Sequence, residues 1–151
     1  PMIPRPPLFL SLVAAALAFV LPAGLASVKH GGRDHGAADG AIGVMEQEIA
    51  CLARGYPLEI RGVRPSDSQR DFSRSLGYID RAIGELRDAI DNRRGFSRIY
   101  SGFNQLENRF KTSTRHFKRA RVSPATKRHF EALGEAIADF KRLKSSQFGS
   151  G

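Results

Sequence analysis

The chain has no tryptophan and a single cysteine, Cys51. One cysteine in an exported protein builds no internal disulfide framework, so the fold must rest on its own apolar core. The same lack rules out a Cys-x-x-Cys-His site for covalently attached haem. Absent too are a glycine-rich phosphate loop, zinc-ligand spacing, a Ser-His-Asp order and a Glu-x-x-His pair for facing helices. Those absences argue against an enzyme and against a resident cofactor or metal. Non-covalent haem fares no better. Met45 starts the first predicted helix and His129 the fourth, and in an up-down-up-down bundle those starts lie at opposite ends. Acids are scarce as well, 15 against 24 Lys and Arg in 151 residues, for a net charge of +9. A balance this basic favours anionic partners.

Charge is also missing from the N-terminal stretch, where Arg5 is the only charged residue before Lys29. The apolar run from Leu8 to Leu21 follows, then the helix-breaking Pro22 and Gly24, then the small residues of Gly24-Leu25-Ala26. This pattern predicts a signal peptide over residues 1–26, cleaved after Ala26, and export to the periplasm or beyond. An uncleaved membrane anchor is the competing reading, since a span needs roughly 20 apolar residues. Removing residues 1–26 leaves 125 residues and lowers the net charge to +8. That length is enough for one domain with one core.

Residues 27–40 are glycine-rich and without period, which predicts a flexible leader. His30 and His35 flank Asp34 there, a donor set suited at best to weak binding of copper, nickel or zinc.

The remainder, residues 41–147 with a polar tail over 148–151, carries helical periodicity. Phe96, Phe103, Phe110 and Phe117 recur every seven residues, with Ile99 and Leu106 between them. Such a repeat lays one stripe along a helix and requires partner helices to cover it. Phe72, Leu76, Ile79, Ile83, Leu86 and Ile90 form a second stripe, opened by a Ser66–Gln69 capping box. Ser123-Pro124 is an N-cap with a first-turn proline, opening a helix with Phe130, Leu133, Ile137 and Phe140 on one face. A shorter first helix, about Ala38–Arg54, carries Ile42, Met45, Ile49 and Leu52 and is ended by Gly55 and Pro57. The segment 55–65 is expected to run extended over the surface, and Gly95 to cap the second helix.

Short turns make neighbouring helices antiparallel, and the stripes agree in register. Folding about the Arg94–Gly95 turn pairs Ile90 with Ile99, Leu86 with Phe103, Ile83 with Leu106, Ile79 with Phe110 and Phe72 with Phe117. Only Leu76 against Ser113 has a polar member. Folding about Ser123 pairs Phe117 with Phe130, Phe110 with Ile137 and Leu106 with Phe140. The reading is an all-α antiparallel bundle of three long helices and a shorter first one, with the third helix central.

The candidate site is a run of one sign. Arg109, Lys111, Arg115, Lys118, Arg119, Arg121, Lys127 and Arg128 fall within twenty residues with no intervening acid. A hairpin gathers them around the turn at 121–124. Such an end attracts lipid or lipopolysaccharide head groups, nucleic acid or an acidic protein. The plainer reading is a solvated basic face. No aromatic is interleaved for base stacking, which counts against single-stranded nucleic acid. Self-association through the apolar stripes, as a structural or assembly protein, is the alternative to a binding module. His116 and His129 each precede a core phenylalanine and lie near the same turn, as flanking histidines of the bundle. Cys51 lies beside the first apolar stripe, which suggests either a half-buried small hydrophobe or a thiol available for an intermolecular disulfide.

Overall fold

Apolar positions at alternating three- and four-residue steps wind the chain into four helices, α1 (Gly36–Glu59), α2 (Asp67–Asp91), α3 (Phe96–Arg119) and α4 (Pro124–Phe148). This is a computed structural model, and it describes residues 36–148, with side chains described as far as Lys144. The signal segment and the leader histidines His30 and His35 lie outside the described residues. No strand occurs among the described residues, which form an all-α bundle.

The first helix is not the short one. It has 24 residues, against 25, 24 and 25 in the others. Residues 36–40, read as leader, begin it, and Gly55 and Pro57 do not end it. The reason lies in the buried stripe, which runs Ala38, Ile42, Met45, Ile49, Leu52 and Tyr56 at steps of four, three, four, three and four. Ala38 and Tyr56 add a turn at each end. Tyr56 is fully buried, with its ring 4.9 Å from Phe72. Holding it there outweighs the single N–H that Pro57 removes from the last turn. The segment 55–65 is consequently helical to Glu59, then turns through Ile60–Gly62.

Pairs of contacting residues run in opposite directions along each neighbouring helix, which makes the neighbours antiparallel. Between α1 and α2, Tyr56 meets Phe72 at one end while Asp39 and Glu46 meet Arg87 at the other. Between α2 and α3, Phe72 meets Phe117 at 5.5 Å and Leu86 lies against Gly102. That register agrees with folding about the Arg94–Gly95 turn. The polar layer resolves itself, because Ser113 is fully buried and its hydroxyl lies 2.7 Å from that of Ser75. The capping box forms as expected, with Ser66 and Gln69 exchanging both hydrogen bonds. Gly95 does not cap α2. Asn92 does, Arg93 takes the left-handed conformation at φ 51°, and Gly95 precedes α3.

The third helix is not the central one. The closest helix pairs are α2 with α3 and α1 with α4, with α1 against α2 next, while the α3 and α4 backbones barely approach. Large rings explain the gap. Phe117 and Phe110 both stack on Phe130, at 4.4 and 4.8 Å, and Phe103 lies 5.1 Å from Phe140. Phe110 turns toward Gly134, where an added Cβ would come 3.0 Å from its Cζ. Thus Phe117–Phe130 meet as the turn arithmetic requires, but Phe103 takes the place expected of Leu106. Among the described residues the core runs from Ala38 to Leu143.

Candidate anion-binding site

Three short connections place the ends. The α1–α2 connection and the α3–α4 turn share one end of the bundle, and the α2–α3 turn lies at the other. At the shared end the two connections are tied together. The Tyr56 hydroxyl and the Gln69 side-chain amide both donate to the Arg121 carbonyl, at 3.2 and 3.3 Å. One Glu59 carboxylate oxygen accepts the Ser123 backbone N–H at 2.7 Å, and the other accepts the hydroxyls of Ser123 and Thr126 at 2.7 and 2.5 Å. Ser123 in turn caps α4, its hydroxyl accepting from the Thr126 N–H at 3.2 Å. Burial pushes the Tyr56 phenol up to about 12, the Glu59 charge adds to the rise, and the bond with Gln69 opposes it.

All eight candidate basic residues are exposed. Among the described residues, none of the eight has a carboxylate within ion-pair distance. Elsewhere some cations are paired and others, such as Arg93, Arg94 and Arg98 beside the α2–α3 turn, are not. Arg70 and Arg74 bond to acids one turn away, as does Arg142 to Asp139 at 2.6 Å. Lys141 meets Glu107 at 3.0 Å, and Arg87 joins Asp39 and Glu46 at 2.6 and 2.7 Å. The bonds from Glu46, against the cost of burial, raise the Arg87 pKa further and hold it charged.

The eight do not form one cluster. Lys111, Arg115 and Lys118 line an open groove of about 620 Å³ along α3, floored by Phe110. Arg109 faces the other way, its guanidinium 4.9 Å from the Tyr78 ring, in a groove of about 300 Å³ shared with Asp71, Arg74 and His116. With a rise of about 1.5 Å per residue, Arg109 lies some 15 Å along α3 from its C-terminal end. Arg119 ends α3, Arg121 occupies the turn, and Lys127 and Arg128 begin α4. The candidate site is therefore narrowed to Lys111, Arg115, Lys118, Arg119, Arg121, Lys127 and Arg128, with Arg109 apart from it.

Space also adds what linear order hid. The α1–α2 connection contributes Arg61 and Arg64, both exposed, to the same end. Their signal in the sequence was the parity of the bundle, since the first and third turns of an up-down-up-down bundle share an end. An acid enters as well. Glu59, absent from the linear run, occupies the α3–α4 turn, where its oxygens are taken up by Ser123 and Thr126.

The histidines separate. His129 Nδ1 lies 2.6 Å from Glu48 Oε2, facing α1, whereas His116 lines the α2–α3 groove. Cys51 is exposed, not half-buried, as a free thiol. Among the described residues no group of three His, Cys, Asp or Glu side chains is placed to hold a metal ion, and no helix is long and apolar enough to cross a membrane. Compared with known families, characterised proteins and solved structures, the chain matches none.

Proposed function

We propose that the protein is a non-catalytic binding module whose basic end engages an anionic surface or polyanion. One observation carries this reading: among the described residues the α3–α4 end gathers seven exposed cations, Lys111, Arg115, Lys118, Arg119, Arg121, Lys127 and Arg128, none with a carboxylate at ion-pair distance, against three such cations, Arg93, Arg94 and Arg98, at the α2–α3 turn. Unpaired cations held on rigid helix ends keep their field available to an incoming anion. Arginine adds a planar fork that meets phosphate at two points. Glu59 offsets one charge of this field but pairs with none of the cations, because its oxygens are taken by the Ser123 and Thr126 donors.

The N-terminal pattern supports export, with a mature chain starting at Ser27. Intact mass of the secreted protein checks that, and recovery of the full-length chain in membranes would overturn it. The binding reading is tested by titrating anionic vesicles, lipopolysaccharide and duplex DNA at low and physiological salt. The comparison is a variant with Arg115, Lys118, Arg119 and Arg121 changed to Gln. Wild type should bind at least one polyanion at low salt and the variant should bind it far less. Equal binding by the two would reduce the basic end to a solvated face.

A further inference from the structure

The two most exposed large apolar side chains among the described residues are Leu58, 63 % exposed, and Val63, 59 % exposed. Both belong to the α1–α2 corner, Leu58 in the last turn of α1 and Val63 just past the tight turn at Gly62, whose φ is +86°. Ile60, between them, packs inward against the core. The corner is held rather than loose, since the Ile60 and Arg61 amides bond back to the Tyr56 and Leu58 carbonyls. The bonds from Tyr56 and Gln69 to the Arg121 carbonyl place this corner beside the basic turn. Exposed Arg61 and Arg64 flank Val63. The basic end is thus an amphipathic surface, aliphatic at one corner and mainly cationic around it, its exposed acid Asp67 being paired with Arg70.

Resting on the anion-binding reading above, we infer that the anionic partner is a lipid bilayer surface, which the protein meets end-on with Leu58 and Val63 inserted among the acyl chains. Charge complementarity selects this occupant. An anionic leaflet attracts basic residues within a Debye length, and an interfacial protein adds buried apolar area to that attraction. Arginine suits the boundary, its alkyl stem lying against apolar groups while its head stays among phosphates. Duplex nucleic acid would use the cations and leave Leu58 and Val63 in water. The exposed aromatic residues that a single strand would stack on lie elsewhere, Phe96 at the opposite end and Tyr78 midway along α2 beside Arg109.

The lack of native tryptophan makes the test direct. Leu58→Trp, Val63→Trp and, as control at the far end, Phe96→Trp each supply one reporter. The chain is used from Ser27, free of the apolar run at 8–21, and it contains every described core residue, from Ala38 to Leu143. On vesicles containing phosphatidylglycerol, emission from L58W and V63W shifts to the blue and is quenched by brominated lipid, while F96W does neither. Neutral phosphatidylcholine vesicles give no shift. The double variant Leu58→Ser, Val63→Ser binds anionic vesicles roughly tenfold or more weakly, the loss expected for two apolar side chains. If wild type binds vesicles in a salt-dependent way but L58W and V63W stay in water, insertion is wrong and the anion reading survives. Binding to duplex DNA or an acidic polypeptide, without binding to vesicles, overturns the lipid assignment alone. Failure to bind any of them at low salt overturns both.

Discussion

The carboxylate of Glu59 accepts both the backbone N–H and the hydroxyl of Ser123, each at 2.7 Å, across 64 positions of sequence. An acid from the end of α1 thereby caps the turn that presents the basic residues. The arrangement separates stability from binding. Glu59→Gln puts an amide donor where three donors converge, leaving partly buried groups unmet, and should cost about 1–3 kcal/mol in urea denaturation. It also removes a negative charge from a positive end. Polyanion affinity, measured where the variant is folded, should therefore equal or exceed that of wild type.

The buried serine pair has a direction that mutation can read. Ser75 spends its proton on the Phe72 carbonyl at 2.7 Å, so Ser113 must donate to Ser75. Ser75→Ala leaves the fully buried Ser113 hydroxyl without that acceptor and should cost about 1–3 kcal/mol. Ser113→Ala leaves the Ser75 proton satisfied and should cost less. The double variant should be less destabilised than the two losses added together, and urea melts of all four proteins complete the cycle.

Tyr56 gives the fold an alkaline limit. Its phenol is raised from 10 to about 12 in the folded state, first by burial. A raised acid binds its proton more tightly when folded, so this contribution is complete below pH 10 and is lost between pH 10 and about 12. Spectrophotometric titration should show a tyrosine ionising near pH 12. In Tyr56→Phe that late step should vanish, and stability should fall less steeply over the same interval.

The stripes of α2 and α3 were legible in the sequence because alternating steps of three and four residues leave a helix one apolar face. Their register followed from the turn, and Phe72–Phe117 meet accordingly. The ends of α1 were not legible. Gly55 and Pro57 are local signals, whereas the burial of Tyr56 against Phe72 is a tertiary fact that overrides them. The position of α4 is not legible in the sequence for a related reason: equal spacing from a turn says which residues face each other, not how far large rings hold two backbones apart. At the site, the linear run named the exposed cations. It could not show that Arg109 turns to Tyr78, that Arg61 and Arg64 join from another connection, or that Glu59 reaches the turn.

The most direct test of the basic end is the salt dependence of its affinity for a polyanion of fixed structure. Counterion release makes the logarithm of the binding constant fall linearly with the logarithm of salt for duplex DNA, with a slope of about −0.9 for each phosphate neutralised. Wild type should show a slope of about −4 to −6, and the variant with Arg115, Lys118, Arg119 and Arg121 changed to Gln should flatten it by about 3 to 4. A control with Arg93, Arg94 and Arg98 changed to Gln at the opposite end should leave the slope unchanged. If the two variants flatten it equally, or if the variant at the α3–α4 end leaves the wild-type slope unchanged, the α3–α4 end is not the anion-binding surface.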